Sequence, residues 1–118
     1  MDSVSTIKEL RDLVAVFCAE RDWLKFHNAK DLSIGISTEA NELLQMFRFK
    51  SEADMKEMLE SDKIKQISDE IADVLYFILL FSEKTGIDLT FALKEKLKKN
   101  NEKYSIKQCK GTNRKYNE

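Results

Sequence analysis

The chain has 118 residues, enough for one domain with its own hydrophobic core but short for two. It contains no proline and only three glycines, and helix-favouring residues dominate, so the composition predicts an all-α protein. The formal net charge of −1 excludes binding to nucleic acid or to an acidic membrane surface that is driven by net charge. The two cysteines, Cys18 and Cys109, lack the spacing of a zinc site or a disulfide framework, which favours a reducing, cytoplasmic setting.

Neither the N-terminal sequence nor the longest apolar run predicts a signal peptide or a membrane span. The N-terminal sequence MDSVSTIKEL carries acidic residues where a signal peptide would have a basic start and an apolar run. The continuous apolar run at residues 74–81 is far shorter than the roughly 20 residues that a bilayer span needs. We therefore expect a soluble protein with no membrane partner.

Helical spacing and capping residues place the first three helices. The first is predicted over residues 5–21, where Thr6 and Glu9 form a capping-box pattern ahead of a helical apolar stripe. The second is predicted over residues 31–49, after the connection DWLKFHNAK. Ser51 is the expected cap of a short linking helix with the sequence EADMKEMLE.

Two longer helices follow. Ser61 or Asp62 can cap a long fourth helix, which should stop at Gly86 in a left-handed conformation. Asp88 is the expected cap of a fifth helix with a lysine-rich end. Together these elements predict an antiparallel helical bundle of four main helices plus the short linking helix.

The predicted fourth helix is apolar on nearly every side from Val74 onward, more than a small monomeric bundle can cover. We therefore expect the bundle to be completed by a second subunit. The domain is predicted to span residues 1–104, and residues 105–118 form a basic C-terminal tail.

Two pairs of acidic residues share one spacing on two different helices. Glu39 and Glu42 stand at i and i+3, and so do Glu70 and Asp73, so each pair lies on one helix face. Each pair runs into apolar residues of its helix and therefore stands at the margin of the core. If the two helices face each other, four carboxylates converge, and their mutual repulsion amounts to several kcal/mol, in order of magnitude.

A divalent cation is the simplest partner for four converging carboxylates. Oxygen ligands alone select hard ions such as Mg²⁺, Mn²⁺ or Ca²⁺. Di-iron bundles use Glu-x-x-His pairs, and the single histidine, His27, lies in neither pair. No glycine-centred calcium loop is present, so Mg²⁺ is the preferred interpretation and Mn²⁺ is possible. Each pair taken singly is also compatible with an ordinary solvated helix face.

Several segments together resemble a known family. The segments EANELLQ and DEIADVLYF are similar to the Glu-x-x-Glu and Glu-x-x-Asp signature of the MazG-like all-α nucleoside triphosphate pyrophosphohydrolases. The segments FCAERDWLKFHNAKDL, FRFK, KKNNEKY and GTNRKY resemble, more narrowly, the dCTP pyrophosphatase branch. The resemblance extends from about Phe17 to Tyr116, which is nearly the whole chain.

The resemblance implies a helical bundle that forms a homodimer or a dimer of dimers. It implies Mg²⁺-dependent hydrolysis of a (deoxy)nucleoside triphosphate, with dCTP or a modified pyrimidine dNTP preferred, to the monophosphate and pyrophosphate. The catalytic metal ligands it implies are the two acid pairs, Glu39, Glu42, Glu70 and Asp73. Residues of two kinds would surround the substrate, aromatic or imidazole groups near the nucleoside and polar groups near the phosphates. They are Trp23, His27, Phe49, Phe77, Lys96, Asn100 and Tyr104.

Two positions depart from the vertebrate members of that branch. Val14 stands where they have a histidine, and Phe77 stands where they have a tyrosine near the nucleotide. Both changes remove a polar group, which leaves the base preference open. The tail motif at Arg114, Lys115 and Tyr116 also matches, without a defined role.

The alternative function is a helical dimerisation or interaction module whose acid pairs bind a non-catalytic ion or solvent. A nucleic-acid binder is disfavoured, because the chain has neither a basic net charge nor a recognisable motif.

Overall fold

The structure is a computed structural model that describes residues 1–113, and within them the regular elements are all helical. The predicted all-α class is therefore confirmed. The helices are α1 (Ile7–Glu20), α2 (Ala29–Phe47), α3 (Glu52–Glu60), α4 (Lys63–Thr85), α5 (Leu89–Lys103) and α6 (Ile106–Cys109). A single 3-10 turn, Leu24–Phe26, connects α1 to α2. None of the described helices combines the length and apolar character that crossing a bilayer requires.

The chain divides into two compact units, Met1–Gly86 and the remainder from Ile87 onward. In the first unit α4 is the central helix and packs against α1, α2 and α3. The predicted linking helix is α3. The second unit contains α5 and the short α6. The predicted domain boundary after residue 104 stays a prediction.

Most predicted caps are present at the helix starts. The Thr6 hydroxyl accepts the Glu9 backbone N–H, which is the first of the two bonds in a capping box. At Ser51 both bonds form, since its hydroxyl accepts the Asp54 N–H and the Asp54 carboxylate accepts the Ser51 N–H. Asp88 caps α5 by accepting the Phe91 N–H. Gly86 ends α4 in the predicted left-handed conformation, with φ of 75°.

Helix α2 differs from its predicted range at both ends. It begins earlier because the side chain of Asn28 accepts the Asp31 N–H at 2.8 Å and acts as the N-cap. It ends at Phe47 because Arg48 leaves the helical conformation with ψ of 134°, and Phe49 follows with a left-handed backbone, φ of 64°. At the start of α4, Asp62 makes no side-chain cap bond, and the Ser61 hydroxyl accepts the Lys63 N–H instead.

The core of the first unit lies where α1, α2 and α4 meet. Cys18, Leu32 and Leu80 form one buried cluster, one residue from each helix. Partly buried hydrophobic residues pack around this cluster, and they are Val14, Tyr76, Phe77 and Phe81. The core therefore lies directly beside the segment of α4 that carries Asp73.

Candidate metal centre

Helices α2 and α4 run antiparallel, and their register brings the two acid pairs together. Leu32 and Leu80 share the buried cluster, and one turn further along α2 Gly35 lies against Phe77. Another turn along, Glu39 and Glu42 meet Glu70 and Asp73. The acid-bearing faces of α2 and α4, which the spacing predicted, therefore face each other.

The four carboxylates are close enough to hold one cation. One carboxylate oxygen from each residue can be chosen so that all four lie within 4.8 Å of one another. Two ligands on opposite sides of a hard cation stand about 4.2 Å apart for Mg²⁺ and somewhat further for Ca²⁺. The spread of the oxygens therefore fits a hard divalent ion with little rearrangement.

Burial differs within the cluster. Glu39 and Glu70 are half-buried, whereas Glu42 and Asp73 are exposed. Oε2 of Glu39 and Oε2 of Glu70 are buried atoms, and neither has a hydrogen-bond partner among the described residues. The ion pairs that join described side chains involve none of the four acids. A buried carboxylate oxygen without a donor is costly, so these two atoms are suited to binding a positively charged ligand.

The electrostatics of the site agree with that interpretation. Burial, and then the neighbouring Glu42 carboxylate, raise the pKa of Glu39 from 4.5 to about 7. The same two causes raise the pKa of Glu70. Without a cation the cluster therefore holds protons that a metal ion would displace. The donor set is oxygen only, so the residues present fit a hard cation.

Trp23 and Phe77 are connected by a row of aromatic rings. The ring of Trp23 meets Phe17 edge-on at 5.9 Å, and Phe17 meets Tyr76 at 6.1 Å. Tyr76 meets Phe77 at 5.2 Å, again edge-on. Phe77 lies one turn beyond Asp73 on α4, so one end of this row borders the carboxylates.

His27 does not join the acid cluster. It lines a cavity of about 210 Å³ together with Leu24, Leu80, Glu83 and Lys84. Leu80 is two turns along α4 from Asp73, which corresponds to about 10 Å of helix. The ring atom Nδ1 of His27 is buried and has no hydrogen-bond partner among the described residues. The substrate contact predicted for His27 stays a prediction.

Phe49 lies two residues after the end of α2. Its side chain is 90% exposed, and the Arg48 guanidinium lies 4.6 Å from its ring centre. A left-handed backbone at an exposed aromatic residue is uncommon and costs free energy, and such strain is often associated with function. The feature is consistent with the predicted contact to the nucleotide.

The remaining predicted residues belong to the second unit. Lys96 is exposed and Asn100 is half-buried, and they lie four residues apart on one face of α5. Tyr104 is the C-cap of α5, and its N–H donates to the Asn100 carbonyl at 2.7 Å. Arg114, Lys115 and Tyr116 lie outside the described residues.

Two features of the site are absent from the sequence-based expectations. One is the contact between the Cys18 sulfur and the Tyr76 hydroxyl, which sequence spacing does not reveal. The other is the position of Gly35 against Phe77. A glycine inside an amphipathic helix, one turn before Glu39, was the available signal for it.

The described helices, two of which run antiparallel and present four carboxylates, place the chain in the class of helical proteins with a cluster of oxygen donors that could hold a metal ion. A family model described as the MazG-like family matches residues 34–118, which is well over half of the chain. The chain therefore belongs to the MazG-like family, as its motifs predicted.

The chain is also similar to named proteins. It is 30% identical to dCTP pyrophosphatase 1 of Rattus norvegicus over 112 residues, covering 94% of this chain and 66% of that protein. It is 29% identical to dCTP pyrophosphatase 1 of Homo sapiens over 114 residues, covering 96% of this chain and 67% of that protein. The chain thus spans about two thirds of the length of the curated relatives it matches.

A solved structure shares the fold. The crystal structure of a pyrophosphatase from Archaeoglobus fulgidus superposes with a TM-score of 0.77 and 38% sequence identity. The match covers 83% of this chain and 91% of that chain. The enzyme class predicted from the sequence, a nucleoside triphosphate pyrophosphohydrolase, agrees with the names of these relatives.

Proposed function

We propose that this protein is a Mg²⁺-dependent pyrophosphohydrolase of (deoxy)nucleoside triphosphates, with dCTP or a modified pyrimidine dNTP as its substrate. The products are the nucleoside monophosphate and pyrophosphate, a reaction that removes surplus or aberrant nucleotides from the pool. The observation that carries the proposal is the four-carboxylate cluster, in which two buried oxygens have no hydrogen-bond partner among the described residues. Family membership and the dCTP pyrophosphatase relatives support the choice of substrate class.

The ligands would be Glu39, Glu42, Glu70 and Asp73, with Mg²⁺ favoured and Mn²⁺ possible. A bound divalent ion supplies neutralisation of triphosphate charge and activation of a water molecule. The carboxylates of Glu39 and Glu70 are half-buried, and they are held in place because the core packs α2 against α4. The exposed Glu42 and Asp73 line the open side, where a triphosphate can arrive.

Substrate binding would involve both aromatic and polar groups. The row of aromatic rings from Trp23 to Phe77 offers apolar surface next to the carboxylates for a nucleoside. Lys96 and Asn100 share a face of α5 and are suited to phosphate oxygens. Water hydrolyses the phosphoanhydride between the α- and β-phosphates: its oxygen forms a bond to one of the two phosphorus atoms, and the bond from that phosphorus to the bridging oxygen breaks. The bridging oxygen leaves with the other phosphorus and takes up the proton, which gives the monophosphate and pyrophosphate.

We also propose that the protein acts as a homodimer or homotetramer in the cytoplasm. The support for self-association is a stripe on α4, since Ile64, Ile71 and Leu75 are 40%, 53% and 38% exposed. These residues follow each other at helical spacing and form one face. The support for a reducing compartment is that Cys18 and Cys109 are both free thiols.

The test is product analysis by anion-exchange chromatography, after incubation with Mg²⁺ and a panel of standard and modified dNTPs. We expect equal amounts of monophosphate and pyrophosphate, and a loss of at least about 100-fold in turnover for Glu39→Gln and Glu70→Gln. Glu20→Gln, at the exposed end of α1 and outside the cluster, is the matched control.

Circular dichroism of each variant confirms that it remains folded. Full activity of Glu39→Gln would contradict the assignment of the site. No turnover by folded wild-type protein with Mg²⁺ or Mn²⁺ would favour the alternative, an interaction module with a non-catalytic metal site.

A further inference from the structure

Gly35 permits a contact that no other residue would allow. A Cβ atom added at this position would lie 2.5, 2.6 and 2.9 Å from Cδ1, Cε1 and Cγ of Phe77. Carbon atoms in normal contact are about 3.5–4.0 Å apart. The ring of Phe77 therefore rests directly on the backbone of α2, in the space that a side chain would occupy.

This contact borders the proposed catalytic site. Gly35 lies one turn before Glu39 on α2, and Phe77 lies one turn after Asp73 on α4. The Phe77 ring is also the end of the aromatic row that begins at Trp23, since Tyr76 meets it edge-on at 5.2 Å. The Phe77 ring thus lies at the boundary between the four carboxylates and the apolar surface of the aromatic row.

We propose that Gly35 is a positioning residue that seats the ring of Phe77 against α2 and thereby shapes the nucleoside side of the substrate site. The proposal rests on the proposed function, and it concerns the base and sugar of the nucleotide rather than the metal-bound phosphates.

An added side chain at Gly35 would displace the ring rather than the helices. One turn away, Leu32 and Leu80 are only 1% and 2% exposed, so the helices are held together by packed core. Phe77 is only partly buried and packs against that core cluster, so we expect a displaced ring to move away from the cluster and toward solvent. There it would occupy space that the nucleoside needs, while the carboxylates stay in place.

The test is a double-mutant cycle with Gly35→Ala, Phe77→Leu and the double variant. Phe77→Leu removes the ring that Gly35→Ala would displace. The measurements are KM and kcat for dCTP, and Mn²⁺ affinity by electron paramagnetic resonance. We expect Gly35→Ala to raise KM for dCTP roughly tenfold, with Mn²⁺ affinity changed less than about twofold. In the Phe77→Leu background the same alanine should change KM less than about twofold.

Gly86→Ala is the matched control. A Cβ at Gly86 would meet no atom within 4 Å, but its φ of 75° makes any side chain strained. This variant should lose thermal stability without a change in KM, which separates loss of stability from displacement of the ring.

Three results would overturn the inference: an unchanged KM for Gly35→Ala, an equal KM effect in both backgrounds, or a loss of Mn²⁺ affinity. The last would show that Gly35 governs the spacing of the helices instead. The two KM results require a wild-type enzyme that turns dCTP over, whereas Mn²⁺ affinity is measured without turnover. Absence of turnover by wild type would instead overturn the proposed function, and this inference with it.

Discussion

The sulfur of Cys18 and the hydroxyl oxygen of Tyr76 lie 3.1 Å apart, and this contact joins α1 to α4 beside the buried core. Either atom can act as the donor. Burial, and then the hydrogen bond to Cys18, raise the pKa of the Tyr76 phenol above its usual range. The contact also holds the middle of the aromatic row that leads toward the carboxylates.

Replacing Tyr76 with phenylalanine removes this bond and little else. We expect Tyr76→Phe to lower the free energy of unfolding by about 1 kcal/mol, as for a typical intramolecular hydrogen bond. Urea unfolding at neutral pH measures the change. In a Cys18→Ala background the same substitution should cost clearly less, because the partner is already gone. Equal costs in the two backgrounds would show that the contact contributes nothing to stability.

The raised pKa of Glu39 predicts how the metal-free protein responds to pH. The folded protein holds this proton up to a pKa of about 7, whereas the ordinary value is 4.5. The resulting stabilisation is present below the ordinary pKa and is lost as pH rises through about 7. Urea unfolding in the presence of EDTA, at about pH 5 and about pH 8, measures this loss.

The pKa of Glu70 is also raised, so the comparison is made against Glu39→Gln. We expect the stability of wild type relative to this variant to fall between the two pH values. Saturating Mg²⁺ should remove or reverse the trend, because bound carboxylates are deprotonated. A wild-type protein that gains stability relative to Glu39→Gln at higher pH, without metal, would disprove the electrostatic account.

The exposed ring of Phe49 offers a test of the nucleotide site that is nearly independent of folding. Because the side chain is 90% exposed, Phe49→Ala should change the free energy of unfolding by no more than about 0.5 kcal/mol. We expect its KM for dCTP to rise several-fold through the loss of an aromatic contact. Phe91→Ala, at another exposed phenylalanine, is the control and should leave KM unchanged. An unaltered KM for Phe49→Ala would remove this residue from the proposed site.

The apolar stripe on α4 predicts the effect of a charge on self-association. Ile71 is 53% exposed and lies between Ile64 and Leu75 on that face. If a second copy covers the stripe, Ile71→Glu should shift the protein to a lower mass, because a buried unpaired carboxylate is unfavourable. Analytical ultracentrifugation compares the variant with wild type and with Lys65→Glu, which adds negative charge on α4 without altering the stripe. A monomeric wild-type protein would refute the proposed oligomer.

The acid pairs and His27 show which features of the candidate site follow from the sequence and which depend on packing. The spacing of Glu39 with Glu42 and of Glu70 with Asp73 was sufficient to place each pair on one helix face, because that follows from helix geometry alone. The burial of one oxygen each from Glu39 and Glu70 was not predictable, since it depends on the packing of α2 against α4. His27 lines a separate cavity with Leu80 and Glu83, and the substrate contact that its motif predicts stays a prediction.

Helix ends were predictable to within about two residues where a side chain caps the backbone locally. Ser51, Gly86 and Asp88 act as expected because each interaction involves neighbours in the chain. The end of α2 was placed too late, since neither the non-helical ψ of Arg48 nor the left-handed backbone of Phe49 has a signal in the residue type.

The helices, most of their caps and the pairing of acids on each helix could be predicted from the sequence, because all of these depend on interactions within about four residues. The antiparallel register of α2 on α4 could not. That register depends on how side chains far apart in the chain interlock, with Leu32 beside Leu80 and Gly35 beneath Phe77. It is this packing that turns two separate acid pairs into one cluster of four carboxylates.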